Sequence, residues 1–283
     1  TQANKQINLN GTVENNATIY TKKGIKTKGL TNTGIVQAIN KIEVEGNLTN
    51  NGEILTNKNL TAKDTISTKK LIAKNGISVN KLENSGIIAT DKKLDIKGNL
   101  INSGEVQAID NISVSGNVNN NGEILTNNSF SAKNTITTKK LIAKEGITTD
   151  KLENKGIVAT EKNLNINKDL INSGNIQAIG KISVAENTNN TGEILTNSSF
   201  TSKNLKTTNK LMTKDDINIS KLENSGKVIS NKKLNVDGSL INSGEIQTLD
   251  NINIKENIVN SGDILTNGTL TSKDVKNDKV ISV

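Results

Sequence analysis

The chain has 283 residues and a formal net charge of +8, and it contains two Phe, one Tyr and no Trp, Pro, Cys or His. So few aromatics exclude the thick core of an ordinary globule and leave a thin one of Ile, Leu, Val and Ala. Without Cys there is no disulfide framework or thiolate metal site, and without His as well, nucleophilic triads and transition-metal sites are excluded.

The composition alone fits a disordered chain, but the apolar residues are too regularly spaced for one. No apolar run is long enough to span a bilayer. The chain shows no signal peptide and does not begin with Met, which reads as a segment of a longer protein.

The organisation is repetitive from near Val13 onward. Apolar residues open successive turns at Leu30, Leu48, Ile66, Leu82, Leu100, Val118, Ile136, Leu152 and Leu170, at intervals of 18, 18, 16 and 18 residues. The octet "NNGEILTN" at Asn50 returns at Asn120, then as "NTGEILTN" at Asn190 and "NSGDILTN" at Asn260, a super-period of 70 residues. Repeats of this kind mark stacked architectures.

The turn "LINSGEVQAIDNISVSGN" from Leu100 shows the internal plan. Leu100 with Asn102, Val106 with Ala108 and Ile112 with Val114 are three pairs at the two-residue spacing of a strand face. Turn-like segments separate them. The expected fold is all-β: a single right-handed parallel β-helix (β-solenoid) over residues 1–283, with about fifteen turns of 18/18/16/18 residues. A left-handed hexapeptide helix fits less well. It wants a small residue two before each aliphatic, where Asp110 and Lys92 stand. A helical solenoid is disfavoured by the Gly, Asn, Thr and β-branched content.

Two columns carry the register. The third position of each long turn is Asn, from Asn15, Asn32 and Asn50 through Asn84, Asn102, Asn120, Asn154, Asn172, Asn190, Asn224 and Asn242 to Asn260, with Thr68, Thr138 and Thr208 expected in the short turns. Buried amides must find partners, so the expectation is an internal ladder rather than a ligand site. The fifth position is Gly, from Gly34, Gly52, Gly86, Gly104 and Gly122 to Gly262, which suggests a corner with positive φ. Phe130 and Phe200 align with Leu60 and Leu270 as core residues. Tyr20 is the one aromatic candidate for the surface.

Chemistry is sparse. Glycoside hydrolysis needs paired carboxylates in a cleft, whereas Glu53, Glu123, Glu193 and Asp263 recur with the repeat as a solvated edge would. Asp215-Asp216, in place of Glu145-Gly146, has no third ligand nearby in sequence. No enzymatic activity is expected, and no catalytic, cofactor-binding or metal-ligating residue is assigned. Without Arg or surface aromatics, specific nucleic-acid readout is not expected despite the charge. Leu55, Leu125, Leu195 and Leu265 should point outward beside Ile39, Ile109, Ile179 and Leu249, either as small repeated apolar patches or tucked against a corner. The charge is banded: residues 98–130 hold no Lys and three acids, and residues 131–169 hold eight Lys and five acids.

The turn from Gly98 to Asn117, of pattern L-x-N-x-G-x-I-x-A-x-x-x-I-x-V, resembles the repeats of filamentous-haemagglutinin-type exoproteins, and the resemblance runs along nearly the whole chain. It implies a β-helical shaft of a large adhesin or of a contact-dependent inhibition stalk. Such a protein is exported by two-partner secretion through an outer-membrane transporter and displayed at the surface of a Gram-negative bacterium, or secreted. A single-chain autotransporter passenger is a near alternative. Two functions follow from that reading. One is a rigid spacer presenting a distal binding or toxin region. The other is a direct binding module for a host-cell receptor, matrix or sulfated glycan, with lateral self-association of the shafts as a further expectation.

Overall fold

The computed structural model describes residues 1–283. It is all-β, with 41 strands and no helix. The chain divides into two compact units, Thr1–Lys144 and Glu145–Val283. Each is a parallel β-solenoid in which strands pair with their counterparts in neighbouring turns. In the turn from Leu100, the strands are Leu100–Asn102, Glu105–Ala108 and Ile112–Val114. They define the first, second and third sides of the coil.

Counting second-side strands gives nine turns in the first unit and eight in the second, or 17 against the expected fifteen. The additional turns lie at the ends. The strands Gln2–Ala3 and Ile281–Ser282 pair with Tyr20–Thr21 and Ile264–Leu265 outside the regular apolar pattern.

The core is one residue deep on each side. On the second side Val36, Ile54, Leu71, Ile88, Val106, Ile124 and Leu141 lie one above the other, all fully buried. Val158, Ile176, Ile194, Leu211, Val228, Ile246 and Ile264 do the same in the second unit. Each such side chain contributes about 1.5–3 kcal/mol on leaving water. Two residues further along each strand the inward position is small, as Thr56, Ala73, Thr90 and Ala108 illustrate. The small position turns the chain at the corner, and where it is Thr the hydroxyl can hold the previous turn. Thr126 Oγ1 donates to the Asp110 carbonyl at 2.5 Å and Thr196 Oγ1 to that of Gly180 at 2.6 Å. Phe130 and Phe200 are buried in the third-side column, as expected, pairing with Ile112 and Ile182. Tyr20 is half-buried on the second side.

The register corrects two expectations. Leu48 pairs with Thr65, and Thr65 with Leu82; likewise Thr188 pairs with Leu205, and Leu205 with Leu222. The short segment is therefore two turns of 17 residues, not an 18 followed by a 16, and the super-period stays at 70. Ile66 and Ile136, expected to open turns from inside, are 43% and 41% exposed. The cause is the corner between the first and second sides. It spans residues 51–52, 68–69 and 85–86 alike, because Asn50, Ser67 and Asn84 are in register, as are Glu53, Lys70 and Ile87. Counting back from that fixed corner puts Ser67 and Thr65 inside and Ile66 outside. The missing residue is taken from the corner between the third and first sides. There the chain runs through as one long strand, Asn59–Ser67 and then Gly76–Asn84.

The second correction concerns the Gly column. Only Gly76 and Gly146 have positive φ, and neither belongs to it. Gly104 is required by crowding: a Cβ there would sit 2.2 Å from the Gly86 carbonyl oxygen of the preceding turn. The corners are stacked so closely that a side chain has no room.

Candidate functional surfaces

The Asn column faces inward, and its amides are used up. Asn102 Nδ2 donates to the Asn120 side-chain oxygen at 2.8 Å, to the Gly104 carbonyl at 3.1 Å and to the Glu123 carbonyl at 3.1 Å. Asn32, Asn84, Asn172, Asn224 and Asn242 make the same three contacts in their own turns. In the 17-residue turns the column holds Ser67, Thr137 and Thr207, not Thr68, Thr138 and Thr208. The correction follows from the register, and these hydroxyls receive the amides of Asn50, Asn120 and Asn190 at 3.3, 3.0 and 3.1 Å. Three segments of the ladder thus end on a hydroxyl, and the last runs on from Asn260 to Asn277 at 2.7 Å. Asn84 and Asn224, which open segments, have their side-chain oxygens met by the backbone N–H of Gly86 and Gly226. This arrangement holds neighbouring turns together and leaves no amide for a ligand.

Asp215 and Asp216 are also engaged. Asp215 forms an ion pair with Lys232 at 2.8 Å, and the Lys233 backbone N–H donates to Asp216 at 3.1 Å. The hydrogen bond from Lys232 holds the Asp215 carboxyl below its usual range, and the Lys232 ammonium is raised in return. Glu123 is similarly lowered, first by Lys139 and then by Lys140, which reach it at 3.2 and 3.7 Å.

Two surfaces remain open. The first is a groove of about 610 Å³ in the first unit, where Lys5, Lys23, Lys41 and Lys58 come from successive turns and Asn40, Asn59 and Asn75 line the rest. No acid lines it. Lys41 is paired with Glu43 at 2.8 Å, while Lys5, Lys23 and Lys58 form no ion pair. Like charges repeated at about the 4.8 Å spacing between strands favour an anion between them.

The second surface is the outer face of the second side. The register places Leu55, Ile72, Ala89, Gln107, Leu125 and Ile142 in one outward column of the first unit. Leu195, Met212, Ile229, Gln247 and Leu265 form the equivalent column of the second unit. The expected patches are present. Leu55, Leu125, Leu195 and Leu265 are half-buried, Ile39 is 40% exposed, and Ile109, Ile179 and Leu249 are 55–59% exposed. Ile109, Leu125 and Ile142 line a shallow depression of about 410 Å³. Ile72 and Ile142 join these patches without having been expected there. The signal for them is the alternation in "KLIA" at residues 70–73 and 140–143, which a 16-residue turn obscures.

Comparison with protein-family models, curated proteins and solved structures returned no match for this chain.

The outer column is flanked on one edge by charge. Glu53, Lys70, Ile87, Glu105, Glu123 and Lys140 are stacked in register, two residues before the apolar positions. Nothing in either unit gathers three or more potential metal-ligating side chains.

Proposed function

We propose that this chain is a spacer segment of a bacterial surface or secreted protein, of the filamentous-haemagglutinin type. Its task is to hold a distal binding or toxin region away from the cell. The observation that carries this reading is the equivalence of the turns: the same core columns, Asn segments and corner glycines recur at each super-period, and a unique active site needs a unique surface. A parallel solenoid whose turns contact only their neighbours folds by adding turns, which suits passage through an outer-membrane transporter and folding outside a Gram-negative cell. The absence of Cys removes any disulfide that could form early and block threading.

A second reading rests on the lysine groove: a direct binding module that holds a polyanion such as a sulfated glycan. One experiment separates the two. The chain is passed over immobilised sulfated and unsulfated glycans at physiological ionic strength. A spacer is not retained. Retention on sulfated glycans alone, lost in a Lys5→Gln, Lys23→Gln, Lys58→Gln variant of unchanged melting temperature, replaces the spacer reading by the binding one.

A further inference from the structure

We propose that the outer face of the second side, between Glu53 and Lys140, docks a second copy of this chain with the turns in reverse order. The six turns lie within the first unit and present two parallel outward columns. In chain order, one reads Glu53, Lys70, Ile87, Glu105, Glu123, Lys140 and the other Leu55, Ile72, Ala89, Gln107, Leu125, Ile142. A two-fold axis parallel to the strands, lying between the two faces, keeps each column opposite itself and reverses the order of turns. Centred between the turns of Ala89 and Gln107, it sets Glu53 against Lys140 of the second copy and Lys70 against Glu123. It also sets Leu55 against Ile142 and Ile72 against Leu125. Each contact then occurs twice, as an isologous interface requires. On the two central turns Glu105 faces Ile87 of the second copy and keeps only the hydrogen bond from its own Gln107.

A partner stacked in the same order must run its strands the opposite way, which lays Glu53 and Lys70 against Leu55 and Ile72 of the second copy and leaves both charges facing apolar side chains without a counter-charge. The occupant is therefore a reversed copy and not a copy in parallel. Within one copy Glu123 already pairs with Lys139 and Lys140. In the dimer it would share its charge with Lys70 of the second copy, which forms no ion pair of its own.

The face sets the strength. Six turns at about 4.8 Å by four residues at about 3.3 Å give roughly 380 Å² per copy, below the roughly 800 Å² of a stable dimer. The association is accordingly weak and concentration-dependent. It does not depend on the spacer reading, since a binding module could pair in the same way.

Sedimentation at low salt over a wide concentration range tests it. The wild type is expected to dimerise weakly. Glu53→Lys and Lys140→Glu should each weaken the dimer about tenfold, and the Glu53→Lys, Lys140→Glu double variant should restore it, while melting temperatures fall by no more than the loss of the surface Glu123–Lys140 pair entails. The natural absence of Cys allows a second readout. A mixture of Leu55→Cys and Ile142→Cys proteins should be joined by a short bis-maleimide, and Leu55→Cys protein alone should not. A monomer at every concentration, a double variant no better than the singles, or Leu55→Cys protein joining to itself as readily as the mixture overturns the proposal.

Discussion

Asn102 donates its side-chain amide to the side-chain oxygen of Asn120, one turn along, at 2.8 Å, and both residues are fully buried. The same amide reaches two carbonyls, so one side chain ties its own corner to the next. Asn102→Ala removes these bonds and also takes from the buried Asn84 amide its side-chain acceptor, which Asn102 supplies at 2.9 Å. The expected cost is about 1–3 kcal/mol, read as a lower melting temperature. An unchanged melt would contradict the ladder's structural role.

Thr65 is the opposite case. It stands in a column of leucines, and its hydroxyl is buried without a hydrogen-bond partner. A later super-repeat places Leu205 in this position, also buried. Thr65→Val keeps the shape and discards the stranded hydroxyl, so it should stabilise the protein by about 1 kcal/mol. Chemical denaturation measures it, and a destabilised variant would mean that the hydroxyl is satisfied in solution.

The turn from Leu100 was legible in full, because its three strands each show two inward residues separated by an outward one. The Asn ladder was legible for the same reason: a polar residue that recurs in an apolar pattern must be paired inside. What misled was Ile66. An apolar residue next to Thr65 looks like the inward one, and only pairing with neighbouring turns reveals that the corner at residues 68–69 fixes the count. The Gly column was visible but its cause was not, since sequence shows that a side chain is excluded without showing what excludes it. The self-complementary order of Glu53, Lys70, Glu123 and Lys140 lay outside reach for the Ile66 reason: one residue of slip moves every side chain to the other face.

At Gly104 the obstacle is backbone, the Gly86 carbonyl oxygen 2.2 Å from the point where a methyl group would stand. Backbone cannot rotate away as a side chain can, so Gly104→Ala must push two corners apart. A cost of about 1–3 kcal/mol is expected, as for other overpacked sites. Lys69 fills the corresponding place in a 17-residue turn, where the corner already admits a side chain. Lys69→Ala is therefore the control and should leave the melting temperature unchanged. Equal effects of the two substitutions would exclude crowding as the reason for the column.

The pH dependence follows from the surface pairs. Glu43, Glu123 and Asp215 have lowered carboxyl pKa values, chiefly through hydrogen bonds from Lys41, Lys139 and Lys232. A lowered carboxyl stabilises the fold above the unfolded value of about 4, and that contribution disappears as pH falls through the folded value. Lys26 and Lys232 are raised, chiefly through Glu45 and Asp215, so their contribution is complete below the unfolded value of about 10.4 and is lost at more alkaline pH. Between these limits there is no imidazole or thiol to titrate. The melting temperature should be level from about pH 5 to about pH 9 and fall on either side. Because all of these pairs lie at the surface, the fall should be shallow and smaller still in high salt. Melting curves across that range at two ionic strengths check it. A sharp transition near neutral pH would show that some other group controls the stability of the solenoid.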